Sequence, residues 1–418
     1  MSNLLIKNVR AVDIGLDRSC DIFIENGVIT QIAENIDVCA EKAINAGGLT
    51  AIPSLFDMHV HLRDPGLTHK EDILTGARAA LAGGITGVAC MPNTVPAIDN
   101  EETIKYIYEK ARDTGVKVYP VACITKGMQG DALCDYETLK NAGAVAVSDD
   151  GKPVKNASVM LEALKKSSLP VISHCEDMDI IGKGIMHKGA VSARLCVPGM
   201  DRASEDSITA RELALAHTVN AKIHIAHVST EGSIALVRDA KARGIKASCE
   251  TCPHYFMLTH DELMRRDASY RMNPPLREES DVRAVTEGII DGTVDCIVTD
   301  HAPHTADEKA DFLTAPNGVV GMETSLAATL TALYHTGKIS LEDIVRLMSV
   351  RPRQLLGIPE EHIRVGEPAN IAIVSLNKKW VVIPEKLHSK SRNTVFGGME
   401  LTGKVVFTIS DGKILYME

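Results

Sequence analysis

Two histidines, His59 and His61, stand in the run HVHLRDPG at residues 59–66, directly after the apolar stretch 51–58. Side chains at i and i+2 of a strand project to one side, so both imidazoles can grip one metal ion from the end of that strand. Arg63 follows as a cation placed to face an anion.

The partners of this pair recur wherever an apolar, strand-like run ends: Asn93 in MPNT, Asp149 and Asp150 in SDDG, His174 in SHCED, His227 in AHVS, and Asp300, His301 and His304 in TDHAPH. Four histidines (59, 61, 174, 227) and two carboxylates (Asp150, Asp300) gathered on one face can hold two divalent ions, because imidazole suits zinc and a carboxylate can bridge. Two such ions clamp a hydroxide and bring its pKa toward neutrality. Asp300 can then take the proton and return it to a leaving group. His254 also follows a strand and is expected near the same face. His187, His217, His224, His260, His335, His362 and His388 fall in helical, loop or remote positions and read as structural or solvated.

The elements that must position these residues repeat one pattern between about residues 51 and 305: a β-branched apolar run, a polar or glycine-containing exit, then an amphipathic stretch. Eight runs qualify, at 51–60, 85–91, 117–125, 144–148, 170–174, 222–228, 246–251 and 295–299. In the helical stretches, Ile104, Ile107, Tyr108 and Ala111 recur at helical spacing, with Asp99 and Glu102 as a capping box and Gly115 as the stop. Near-continuous apolar strands alternating with helices imply a parallel sheet covered on both faces, and eight such units imply closure. The expected class is α/β, a (β/α)8 TIM-like barrel over residues 53–361, whose chemistry lies at the C-terminal mouth of the strands. Residues 1–52 and 362–418 instead carry short alternating strands, with Asn26-Gly27 and Asp411-Gly412 as hairpin turns. Both chain ends are expected to form a small β-sandwich beside the barrel.

Composition excludes several classes. The chain has 418 residues, 45% hydrophobic and 24% charged, with a formal net charge of −10. That balance lacks the basic patch of a nucleic-acid binder, and no apolar run reaches the length of a membrane span. The first residues carry no signal-peptide pattern, so a cytoplasmic protein is expected. The ten cysteines lie scattered in apolar segments, as reduced buried thiols do. The Cys249/Cys252 pair lacks a second CxxC and reads as strand packing.

The motifs HxHLRDPG, MPNTxP, DDG, HCED, HVS, NPPLR and TDHAPH occur here at residues 59–66, 91–96, 149–151, 174–177, 227–229, 273–277 and 299–304. Together they resemble the amidohydrolases and, within them, the dihydroorotases that use an aspartate between the metals. The resemblance implies interconversion of dihydroorotate and N-carbamoyl-aspartate in pyrimidine synthesis, a metal-bridging hydroxide attacking the ring amide, and one or two Zn2+ per chain. It casts His59, His61 and Asp300 on one zinc and His174 and His227 on the second, with Asp150 bridging. Arg63, Asn93 and His304 would hold the substrate carboxylate, and Asn273 with the Asn317-Gly318 backbone would contact the ring. The charged stretch 305–316 reads as a lid that excludes water.

Hydantoinases and allantoinases of the same superfamily bridge their metals with a carboxylated lysine where this chain has Ser148-Asp149-Asp150, so the aspartate marks a subtype. A different cyclic amidase is the first competing reading, and Arg63 with Asn93 argue against an uncharged ring. A non-catalytic scaffold for a transcarbamoylase is the second, opposed by the complete ligand set. The partner expected is a small-molecule substrate, with no nucleic acid and no membrane. A homodimer and an association with a transcarbamoylase stay open.

Overall fold

The computed structural model describes residues 3–418. Five strands open the chain: β1 (Asn3–Asp13), β2 (Leu16–Glu25), β3 (Val28–Ala33), β4 (Lys42–Asn45) and β5 (Thr50–Pro53). Eight parallel barrel strands follow, β6 (Leu55–Val60), β7 (Ile85–Cys90), β8 (Lys117–Ala122), β9 (Ala146–Ser148), β10 (Val171–Ser173), β13 (Ile223–Ile225), β14 (Ala247–Thr251) and β15 (Cys296–Ile297), interrupted after β10 by the short pair β11 (Met186–His187) and β12 (Gly199–Met200). The chain ends in β16 (Ile371–Val381), β17 (Glu400–Ser410) and β18 (Lys413–Met417).

The barrel strands pair in sequence order from β6 to β15. Closure comes from the segment after β15, where the His61 amide donates to the His301 carbonyl at 2.8 Å and Val60 bridges His301 in parallel. Apart from the entry residues Lys117 of β8 and Ala247 of β14 and the half-buried Tyr119, the strands are buried, among them β6, β7 and β14 residues such as Leu55, Val88 and Cys249. A two-sided parallel sheet requires this, and helices such as Glu101–Ala111, Ala203–Thr218 and Glu279–Ile290 cover its outer face.

The two chain ends join in one further sheet, ordered β18-β17-β16-β5-β1-β2-β3 with β4 branching from β1. Its apolar residues, Ile6, Ile22, Ile371 and Ile409 among them, form a core separate from that of the barrel. Both expected hairpin turns form: φ is positive at Asn26 (50°), Gly27 (85°), Asp411 (44°) and Gly412 (75°), as a two-residue turn of the mirror-image type demands. The turns abut so closely that a Cβ on Gly27 would lie 2.9 Å from the Asp411 carbonyl oxygen. Two distant ends of the sequence thereby lock onto each other.

Two local expectations need correction. The run 51–60 is not one strand, because Thr50–Pro53 pairs with β1 and β16 outside the barrel and only Leu55–Val60 enters it. Apolar content alone does not tell which sheet a run joins. The helix Glu101–Ala111 is capped by Asn100, whose side chain accepts from the Thr103 amide, while Asp99 accepts the Gly127 amide instead. Asn100 and Asp99 are near-equal caps, and the outlying loop takes the aspartate.

Candidate metal centre and substrate cavity

The exits of β6, β9, β10 and β13 and the segment after β15 bring His59, His61, Asp150, His174, His227 and Asp300 into one buried cluster. Asp150 is its hub. Oδ1 lies 3.4 Å from His59 Nε2, 3.3 Å from His174 Nδ1 and 3.5 Å from His227 Nε2, and Oδ2 lies 3.4 Å from His61 Nε2. Asp300 Oδ1 lies 2.9 Å from His61 Nε2 and 3.7 Å from His59 Nε2. The donor atoms thus fall into two groups that share Asp150, one with His59 and His61 and one with His174 and His227.

In three of the four rings the second nitrogen decides what the first can do, while His227 Nδ1 is buried without a partner. His59 Nδ1 donates to Glu250 at 2.5 Å, His61 Nδ1 to Asn93 Oδ1 at 2.7 Å, and His174 Nε2 to Glu176 at 2.9 Å. These acceptors fix the tautomers so that bare lone pairs face the cluster. His59 Nε2 is buried without a hydrogen-bond partner, and His174 Nδ1 stands only 2.9 Å from His227 Nε2. Converging lone pairs repel unless a cation lies between them. Spacings near 3.3–3.5 Å match the edge of a tetrahedron with arms of about 2.0–2.1 Å. The residues fit divalent metal ions.

Without a metal ion the His59 ring would keep a second proton: burial pushes the His59 pKa down, but Glu250 and Asp150 raise it well above its ordinary value. Burial pushes the Asp150 carboxyl upward, but His59, His174 and His227 outweigh it and hold it well below the usual range. Glu250 behaves likewise, burial being offset by His59 and His224. Backbone strain gathers at the same place: Arg63 (φ 59°), His227 (φ 32°) and Asp300 (φ 47°) all occupy the left-handed region, at a cost on the order of 1–3 kcal/mol each that the surrounding packing offsets.

Beside the cluster opens a cavity of about 210 Å³ lined by Arg63, Asn93, Asn273, His304, Asn317 and Gly318 as well as the cluster residues. The Arg63 guanidinium, buried, meets the Pro303 carbonyl at 3.3 Å and His304 Nε2 at 3.4 Å. Burial pushes its pKa down to about 10 despite Asp300 and Asp150. His304 is neutral: burial, then Arg63 and Lys70, bring it to about 3. Its Nε2 donates to the Asn317 carbonyl at 2.9 Å while Lys70 donates to Nδ1, so it cannot accept from Arg63. Gly318 (φ 139°) passes close to Ala302, whose carbonyl oxygen would lie 2.7 Å from an added Cβ. Only glycine allows that approach.

Not every residue at a strand exit reaches the cluster. Asp149 turns away to accept the Ile124 and Thr125 amides, and His301 faces Glu71 at 3.4 Å. His254 is buried, but it is not among the residues that line the cavity. His224, expected to be merely structural, instead touches Glu250 at 3.1 Å and so stands one contact behind His59. Glu250 and Glu176 went unread in the sequence, although each left a signal: an acid inside an apolar strand needs a buried partner, and Glu176 lies two residues beyond His174. Both CxxC thiols are buried and free, Cys249 donating to the Thr293 carbonyl, while Cys39 and Cys196 are exposed rather than buried.

The sequence is similar to known proteins over its whole length. A family described as Dihydro-orotase-like matches residues 48–233. A dihydroorotase of Trichlorobacter lovleyi is 47% identical over 422 residues and one of Acetivibrio thermocellus 46%, each match covering 99% of both chains. Among solved structures, the L-hydantoinase (dihydropyrimidinase) of Arthrobacter aurescens superposes with a TM-score of 0.88 at 25% identity, covering 100% of this chain and 96% of its own. The dihydropyrimidinase of Brevibacillus agri shares the fold with a TM-score of 0.87 at 22% identity, covering 99% of this chain and 95% of its own.

Proposed function

Because the chain belongs to the dihydroorotase family and is a cyclic amidohydrolase, we propose that it interconverts dihydroorotate and N-carbamoyl-aspartate with zinc held by His59, His61, Asp150, His174, His227 and Asp300. The observation that carries the choice of substrate is Arg63. Among the described residues its buried guanidinium contacts only a carbonyl and a neutral imidazole. A buried cation without a counter-ion is costly, and a substrate carboxylate supplies that counter-ion in a bidentate fork. An uncharged hydantoin ring would leave the cation bare.

Each side chain has a task in this reading. Arg63 and Asn93 fix the carboxylate, and His304 joins them only by giving up its hydrogen bond to the Asn317 carbonyl. Asn93 Oδ1 accepts from His61 Nδ1, so the Asn93 amide nitrogen is the part left for substrate. Asn273 and the Asn317-Gly318 segment hold the ring. Divalent ions bound at the cluster would act as Lewis acids on the amide carbonyl and lower the pKa of water. Asp300 takes a proton from the attacking water and gives it to the ring nitrogen whose bond to the carbonyl carbon breaks; in ring closure the transfers run backward. The three residues with positive φ, Arg63, His227 and Asp300, all line the cavity.

We place this reaction in pyrimidine synthesis in the cytoplasm, a reading supported by the free thiols. The test is turnover of dihydroorotate by purified protein alongside elemental analysis of bound metal. Zinc near one or two equivalents with turnover abolished by chelator supports the proposal. Equal turnover of hydantoin would overturn the substrate assignment.

A further inference from the structure

The segment 305–316 is fastened down by two reciprocal contacts. Lys309 spends all three ammonium hydrogens on main-chain carbonyls, those of Ala268 (3.1 Å), Arg271 (3.1 Å) and Pro316 (2.8 Å). In the other direction, Arg271 donates to the Phe312 carbonyl at 2.8 Å, and Arg266 lies over the buried Phe312 ring at 5.3 Å. No ion pair of Lys309 occurs among the described residues, and burial pushes its pKa down to about 7 although Asp267 and Glu308 lie near enough to raise it, so the three carbonyls are its direct partners.

What this clasp holds in place is the wall of the cavity. The Gly318 amide donates to the Arg271 carbonyl at 2.9 Å, the same carbonyl that Lys309 grips. The Asn317 side-chain nitrogen donates to Asn273 Oδ1 at 2.7 Å. That leaves Asn317 Oδ1 buried with no hydrogen-bond partner on a residue that lines the cavity. An orphaned buried acceptor costs on the order of 1–3 kcal/mol unless a donor arrives, and the ring of a cyclic ureide carries N–H groups.

We infer that the Asn317 side-chain oxygen accepts a substrate N–H, and that Lys309 is the positioning residue that holds it there by clasping 305–316 onto 268–271. The inference rests on the proposed dihydroorotate reaction. Lys309 does not line the cavity; its charge is felt at His304 and Arg63, and its hydrogen bonds reach Asn317 through the Pro316 and Arg271 carbonyls.

A double-mutant cycle on the metal-loaded enzyme tests this, with K309M, N317A and the double variant assayed on dihydroorotate. Each single change is expected to raise KM roughly tenfold, the loss of about one hydrogen bond, with kcat and metal content nearly unchanged. The double variant should be little worse than N317A alone, because coupled residues are not additive. Losses that multiply, or an unchanged KM in K309M, would overturn the inference. K309Q reports the same outcomes should K309M fail to fold. If the unsubstituted protein does not turn over dihydroorotate, the proposed function fails instead. The clasp is then read from hydrogen exchange at the Gly318 amide, which must quicken in K309M; an unchanged rate sinks it.

Discussion

Glu250 accepts the Nδ1 hydrogen of His59 at 2.5 Å across 191 residues of sequence, and its other carboxylate oxygen lies 3.1 Å from His224. The carboxylate sets the tautomer of His59 and raises its basicity toward the cluster. Loss of such a partner typically weakens metal binding by about 10–100-fold. E250Q is therefore expected to lose metal to a chelator at concentrations the unsubstituted protein withstands, as read by elemental analysis after dialysis.

Asp300 combines a place in the cluster with the proton transfer. D300N keeps a similar shape and removes the base, so kcat should fall by roughly 10²–10⁴. The His174/His227 group does not include Asp300, so at least that half should keep its metal. A variant with kcat within a fewfold of the parent would exclude Asp300 as the base.

Arg63 should govern substrate charge. R63M is expected to lower kcat/KM for dihydroorotate by roughly tenfold to a hundredfold or more, the worth of one charge-assisted pair, with metal content intact. Turnover of hydantoin, however small, should be affected far less. Parallel losses on both substrates would show that Arg63 supports the site rather than reads the carboxylate.

Arg277 of NPPLR works in the fold. Its guanidinium donates to Glu205 at 3.1 Å, both groups buried, and Glu205 also accepts the Ser229 and Thr230 amides. Burial pushes the Glu205 carboxyl up, but Arg277 and Ser229 hold it below its ordinary value. A carboxyl depressed in the folded state stabilises above its unfolded pKa of about 4.3, and that stability is lost as pH falls through the folded value. E205Q should cost about 3–5 kcal/mol at pH 7. Urea unfolding should show the gap to the parent narrowing as the pH drops below the ordinary carboxylate range, and a gap independent of pH would refute the assignment.

How much of this was legible follows from range. The i, i+2 spacing of His59 and His61, the apolar runs with polar exits, and the two Asx-Gly turns are local patterns, each forced by backbone geometry over a few residues. From them the barrel, the shared sheet of the chain ends and the six cluster residues could be read, because in a parallel barrel every strand exit faces the same mouth. Why Asp150 rather than Asp149 is the hub lies in loop contacts, Asp149 being taken up by the Ile124 and Thr125 amides; local pattern left the two equal, and it was the resemblance to a known family that let the sequence name Asp150. The sequence could not show Glu250 behind His59, or divide 51–60 between two sheets.

By itself, then, the sequence determined which strand exits meet at the mouth and that the cation Arg63 accompanies them. Only the tertiary structure decided which nitrogen of each imidazole faces the cluster, that Arg63 forms no ion pair with a carboxylate among the described residues, and that Lys309 bonds to the carbonyls of Ala268 and Arg271. Those facts depend on contacts between segments tens to hundreds of residues apart, and hydrogen-bond geometry between such segments leaves no periodic trace along the chain.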